Sequence, residues 1–154
     1  MVKRALCAGL LAVAGLLVGS VPILRAADSP LQGAWQVVDQ NGRPGPGVYI
    51  FAKTHYSMMT ASADRPDIVD ISQANADDLR ALYGPMAANA GVYEVSGNLV
   101  TIRPIVAKIP VVMKGGAYEV YAFAINGDSL TLTQQRNVRG PVDGRAPVRL
   151  VRVE

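Results

Sequence analysis

The sequence predicts an all-β protein: an eight-stranded antiparallel up-and-down barrel with one helix inserted between the third and fourth strands. Two observations carry this prediction. Short runs of apolar, β-branched and aromatic residues recur along the chain and are separated by turn residues, a pattern typical of a sandwich or a barrel. Nearly all the connections suit hairpins, and a meander of eight strands closes most simply into a barrel without exposed edges.

The predicted strands lie at 34–38, 48–52, 55–61, 92–95, 99–104, 118–125, 129–135 and 148–153. Ser-Gly-Asn at 96–98 and Asn-Gly-Asp at 126–128 are the turn signals of two hairpins, since glycine supplies the positive φ that tight turns need. The segment 41–47, with its glycines and prolines, is predicted to be irregular. The segment 105–113 is apolar but interrupted by Lys108 and Pro110, so we expect an irregular loop or an edge strand.

One segment after the third strand has a helical pattern. Asn75 is suited to cap the helix, with Asp78 three residues later in a capping box. Gly84 and Pro85 end or bend it, because proline lacks the amide donor. The apolar face is formed by Leu79, Leu82, Tyr83 and Met86. The pattern leaves open whether this face covers the barrel mouth or packs on the outer wall.

Residues 1–27 predict a secretory signal peptide: Lys3 and Arg4 precede a long uncharged apolar run, and small residues follow at Ala26 and Ala27. The run is also long enough for an uncleaved N-terminal anchor helix, which would be the one attachment to a membrane. We therefore expect an exported protein, periplasmic or secreted, whose domain spans residues 28–154.

Charge and cysteine content narrow the function classes. The chain has 15 basic and 12 acidic residues, and the leader holds three of the basic ones and none of the acidic ones. The remainder is formally neutral, so the composition is no argument for nucleic-acid binding. Cys7 is the only cysteine and lies in the leader, so we expect a domain without disulfides.

Several motifs resemble those of the bacterial lipocalin-like domain family, whose barrels belong to the calycin type. Gly33 and Trp35 form a G-x-W signature on the first strand. Further similarity lies at 48–51, 55–59, 65–66, 91–95 and 126–132. The resemblance implies that the tryptophan closes one end of the barrel and that an arginine of the last strand packs over it. Arg149 and Arg152 are the candidates, and they point to opposite faces of a regular strand.

The resemblance and the aromatic content together favour a barrel that binds a small apolar ligand. An eight-stranded barrel has room for side chains or for one small ligand. The alternative is a structural or protein-interaction module of the cell envelope with a filled barrel. The oligomeric state stays open. The expected lining residues are Tyr49, Phe51, Tyr56, Met58, Tyr93, Tyr121 and Phe123.

Catalysis and metal binding are the weaker hypotheses. His55 is the only histidine, and on a strand it shares a face with Met59 but not with Met58, so we expect no metal site and no cofactor. No nucleophile elbow accompanies it. A small-barrel isomerase or hydrolase using His55, Tyr56, Glu94 and Arg103 is the remaining enzymatic alternative to a non-catalytic protein. We expect His55 at a barrel rim, partly exposed.

Overall fold

The computed structural model of the protein describes residues 29–154, so the predicted signal peptide lies outside the described residues. Helix α1, Ala76–Tyr83, lies between the third and fourth strands. The strands are β1 Gly33–Val38, β2 Pro44–Phe51, β3 His55–Thr60, β4 Ala87–Ser96, β5 Leu99–Ala107, β6 Glu119–Asn126, β7 Ser129–Asn137, β8 Gly140–Pro141 and β9 Val148–Arg152.

Eight of these strands close into one antiparallel barrel. Strands β1 to β7 each pair with the next in the chain, and β9 pairs with both β7 and β1. The two-residue strand β8 pairs with β7 alone and stands outside the closed circuit. The predicted fold class, an eight-stranded up-and-down barrel with a helix between the third and fourth strands, is therefore confirmed.

The two ends of the barrel differ. The short turns β2–β3, β4–β5 and β6–β7 lie at one end, together with the start of β1 and the end of β9; we call this the turn end. The opposite end, the loop end, carries the longer connections 39–43, 61–86, 108–118 and 138–147. Long connections at a barrel mouth are the usual place for a site, because they are free to vary while the strands stay in register.

Strand β2 begins earlier than the sequence predicts. Residues 41–47 are irregular only as far as Arg43, and Pro44 already pairs with Val38 across a register shift in β1. Glycine allows the strands to approach closely here: a Cβ on Gly47 would come within 2.7 Å of the Val37 side chain. The glycines that suggested a loop instead permit a close approach between the paired strands β1 and β2.

The core is a continuous apolar cluster inside the barrel. Inward-facing side chains alternate with exposed ones along β2, where Tyr49 and Phe51 are buried and Val48 and Ile50 are exposed. The Phe51 ring packs edge-on against Tyr93, with their centres 5.2 Å apart. Much of the barrel interior is thus filled by the protein's own aromatic rings.

The helix is anchored at its ends more than along its face. The Asn75 side chain accepts from the backbone amides of Asp77 and Asp78. In return, the Asp78 carboxylate accepts from the backbone amide of Asn75, so the predicted capping box is present. None of the helix residues is fully buried. At the other end, the Lys108 ammonium donates to the backbone carbonyls of Tyr83, Gly84 and Met86. This lysine ties the end of α1 to the segment that follows β5.

A candidate binding site at the loop end of the barrel

A cavity of about 250 Å³, partly open to solvent, lies at the loop end. Its apolar lining comes chiefly from Met58, Ala107, Ile109 and Val112. Its polar lining consists of Asn89, Lys108, Glu119, Tyr121 and Arg145. A pocket that is apolar with a few convergent polar groups is the arrangement expected of a small-molecule site.

Strand register brings the cavity residues together. Met58 of β3 is the partner of Asn89 of β4, which in turn is the partner of Ala107 of β5. Residues opposite each other in antiparallel strands project to the same face, so these three share the inner face of the barrel. Glu119 and Tyr121 lie two residues apart on β6 and also share a face.

Two tyrosine hydroxyls each donate to a side-chain acceptor at this end. The Tyr121 hydroxyl donates to Glu119 Oε2 at 2.7 Å, and the Tyr56 hydroxyl donates to Asn89 Oδ1 at 2.6 Å. Burial, followed by the Glu119 charge, raises the pKa of Tyr121 and of Tyr56 above the ordinary tyrosine value. The same two causes raise the pKa of Tyr49 from 10.0 to about 12. These phenols are neutral hydrogen-bonding groups at physiological pH.

Gln134 of β7 adds a polar group that is only 3% exposed. Arg145, in the loop before β9, donates from its guanidinium to Gln134 Oε1. The other end of the amide, Nε2, is buried and has no hydrogen-bond partner among the described residues. Because Arg145 can only donate, this contact also settles which end of the amide is the oxygen.

The seven residues predicted to line the barrel interior all contribute to its core. The buried ones are Tyr49, Phe51, Tyr56 and Tyr93; Met58, Tyr121 and Phe123 are partly buried against them. Only Met58 and Tyr121 of the seven border the loop-end cavity. The structure therefore brings these residues into one cluster but divides them between filling the barrel and bordering an open space.

Gly33, Trp35 and Arg152 of the predicted signature lie at the turn end, whereas Arg149 pairs with Val38 nearer the loop end. Trp35 is fully buried and its indole Nε1 donates to the Leu31 carbonyl at 2.8 Å. The guanidinium of Arg152 lies over the indole, whereas Arg149 is exposed on the other face of β9. Gly33 has φ +128°, and a Cβ there would overlap the Glu154 carbonyl oxygen and crowd the Arg152 guanidinium. Glycine is needed at this position both for its backbone conformation and for space.

Three of the four residues of the enzymatic alternative share the outer face of β3, β4 and β5, because His55 and Arg103 are both register partners of Val92 and Arg103 is paired with Glu94. His55 is exposed beside the β2–β3 turn, at the end opposite the cavity, with its Nδ1 2.8 Å from the Thr54 hydroxyl oxygen. Glu94 forms an exposed ion pair with Arg103 on the outer face, 3.7 Å between the charged atoms. Tyr56 points the other way, into the barrel.

Sequence reasoning missed most of the polar residues of the cavity. Glu119 did carry a signal, because it shares a face with Tyr121. So did Gln134, which lies behind the cavity in contact with Arg145 and continues the inward alternation of Leu130 and Leu132. A polar residue in an inward register is unusual enough to mark a site. Arg145 and Lys108 lie in loops, where no periodicity indicates direction.

Within residues 29–154, no group of three or more histidine, cysteine, aspartate or glutamate side chains is arranged to hold a metal ion. Likewise, the helices in this range are all too short or too polar to span a bilayer.

The closed barrel is consistent with a lipocalin-like fold. In comparisons with known proteins, no family model, no curated protein and no solved structure matched this chain.

Proposed function

We propose that this protein is an exported, lipocalin-like barrel that binds a small molecule in the loop-end cavity. The observation that carries the proposal is the cavity itself, which has a volume of about 250 Å³, apolar walls and several polar side chains in its lining. Its volume lies just below the ~300–1,000 Å³ typical of pockets for drug-sized ligands.

The position of the cavity supports this function. The turn end is packed by Trp35 and Leu31, both fully buried, whereas the loop end retains an open volume. The sequence features of the leader support the proposed export, and the G-x-W motif supports the proposed family.

Native mass spectrometry of the protein expressed with its own leader tests the proposal. We expect a co-purified small molecule that is released on denaturation. Ala107→Leu should remove it, because Ala107 borders the cavity and the larger side chain would occupy the space. Ala124→Leu, the same change on the exposed outer face of β6, is the matched control. Retention of the molecule by Ala107→Leu would place it elsewhere, and its absence from every expression host would count against binding.

A second candidate function, a protein-interaction module, is favoured by apolar side chains exposed beside the cavity. Ile105, Val106, Ile109 and Val111 are each more than half exposed, in one short segment. Exposed apolar residues that are contiguous mark contact surfaces more often than scattered ones do. A second copy of this chain is the first partner to test. Sedimentation velocity should then show concentration-dependent association that Val111→Lys abolishes and Val69→Lys, at another exposed valine, does not.

A further inference from the structure

Two connections at the loop end expose large apolar side chains. Val111, in the connection 108–118, is 59% exposed, and Val138, in the connection 138–147, is 56% exposed. Ile109 and Met113 lie two residues to either side of Val111 and are exposed as well. Large apolar side chains that are exposed together mark a surface that another molecule covers, because water solvates them poorly.

Strand register places the two connections side by side. Glu119, the first residue of β6, is the register partner of Asn137, the last residue of β7. The connection that ends before Glu119 and the one that begins after Asn137 therefore leave the barrel next to each other. We call these two connections, residues 108–118 and 138–147, the basic rim.

The basic rim carries a net positive charge. It holds Lys108, Lys114, Arg139 and Arg145, with Asp143 as its single acidic residue. Lys114 and Arg139 are exposed, and neither forms an ion pair within residues 29–154. Lys108 and Arg145 donate to carbonyl and amide oxygens, which carry no formal charge and leave the positive charge in place. Cations thus accompany the exposed apolar side chains.

The neighbouring connection at the same end has the opposite charge. Residues 61–86 include five aspartates and two arginines. Asp77 and Asp78 lie in the first turn of α1, whereas Lys108 binds carbonyls at its far end, about 10 Å away at the rise of an α-helix. An anionic surface would attract the basic rim and repel the connection 61–86, so this separation of charge orients the barrel on such a surface.

We propose that the basic rim docks on an anionic phospholipid bilayer. Val111 and Val138 enter the boundary between headgroups and acyl chains, and Lys114 and Arg139 lie among the headgroup phosphates. Apolar insertion together with basic side chains at the headgroup level is how peripheral proteins bind anionic membranes. This docking does not depend on a ligand in the cavity, so it stands or falls separately from the proposed binding function.

Charge favours a bilayer over a second copy of this chain as the molecule that covers the rim. If two copies met through their rims about a two-fold axis, each would present its cations to those of the other. Like charges that face each other across an interface disfavour the complex. A bilayer that contains anionic lipid presents the complementary charge instead.

Tryptophan reporters test the docking in the protein expressed with its own leader. Val111→Trp and Val138→Trp place a fluorophore on each connection of the rim, and Val69→Trp is the control, at a valine that is 96% exposed in the connection 61–86. Trp35 is fully buried and adds a constant background. With vesicles of brominated phosphatidylglycerol, we expect both rim reporters to shift to the blue and lose emission, and the control to do neither. Binding through an apolar leader would not select the rim reporters.

A matched pair of lysines tests the charge. In the Val111→Trp reporter, Lys114→Gln should weaken binding to phosphatidylglycerol vesicles about fivefold, the factor that one cation near an anionic surface supplies. Lys53→Gln, at an exposed lysine of the β2–β3 turn, should leave the affinity unchanged.

Three results would overturn the proposal: equal quenching of rim and control reporters, equal affinity for phosphatidylcholine vesicles, or equal effects of the two lysine substitutions. A blue shift that depends on protein concentration without vesicles, and no quenching in their presence, would also overturn it and would assign the surface to a second copy.

Discussion

The guanidinium carbon of Arg152 lies 4.0 Å from the centre of the Trp35 ring, so that the cation covers the tryptophan that closes the turn end of the barrel. The same guanidinium donates to the Gln32 carbonyl at 2.7 Å and joins the segment before β1 to the last strand. A cation–π contact and a charged hydrogen bond therefore act on one side chain.

Arg152→Met should lower the free energy of unfolding by about 2–3 kcal/mol, because both contacts are lost while most of the apolar stem is kept. Arg149→Met, on the exposed face of the same strand, should change it by less than about 0.5 kcal/mol. Urea denaturation followed by tryptophan fluorescence measures both. Equal effects of the two substitutions would contradict the role assigned to Arg152.

Gly33→Ala should destabilise the barrel by roughly 3 kcal/mol, since the new Cβ meets the Glu154 carbonyl in a backbone conformation that favours glycine. Gly127→Ala is the control: Gly127 also has positive φ, +57°, but a Cβ there would meet open space. We expect that control to cost only about 1 kcal/mol. The same denaturation experiment compares them, and a Gly127→Ala effect as large as that of Gly33→Ala would contradict a cost from the overlap with Glu154.

Stability should fall as the pH rises from about 10 towards 12. The pKa of Tyr49 is raised to about 12 in the folded barrel, so between these values the unfolded chain holds fewer protons than the folded one. The stabilisation is complete below pH 10 and disappears through the folded pKa; for Tyr49 it is on the order of 3 kcal/mol. Unfolding titrations of wild type and Tyr49→Phe at pH 8 to 11.5 test this. The variant should show a shallower alkaline decline, and parallel curves would contradict it.

Asn75→Ala should loosen helix α1 without unfolding the barrel. The cap holds two backbone amides, and its loss typically costs about 1 kcal/mol. Because no helix residue is buried, this cost is local. Amide hydrogen exchange should accelerate about fivefold at residues 78–82, while the urea midpoint stays unchanged. A fall in the midpoint would mean that the helix is coupled to the barrel core.

Local patterns predicted most of the strands, both glycine turns and the capping box, because each depends on residues close in sequence. They failed at the start of β4, which begins at Ala87 and not at residue 92, and at the start of β2, where Pro44–Gly47 has the composition of a loop. The Val37 side chain, on the neighbouring strand β1, leaves room only for a glycine at position 47. Local composition cannot indicate this contact, because it is made between two different strands.

The site was less predictable than the fold. The aromatic content predicts that Tyr49, Phe51 and Tyr56 line the barrel interior, but packing decides that they fill it and that the open volume lies beyond them. Arg145 reaches Gln134 from a loop, and no pattern of neighbouring residues indicates the direction of a loop side chain.

The amino-acid sequence by itself determined the alternation of strands and turns, and with it the up-and-down barrel, because those signals arise from steric preferences of single residues and from period-two burial. Only the tertiary structure decided which arginine covers Trp35. Both faces of β9 carry apolar residues, so the alternation of side chains does not show which face turns inward. The pairing of β9 with β1 places Arg152 beside Trp35. Closure of the barrel likewise decided that Gln134 is buried, with no acceptor for its Nε2 among residues 29–154, since that environment is assembled from strands and loops distant in the chain.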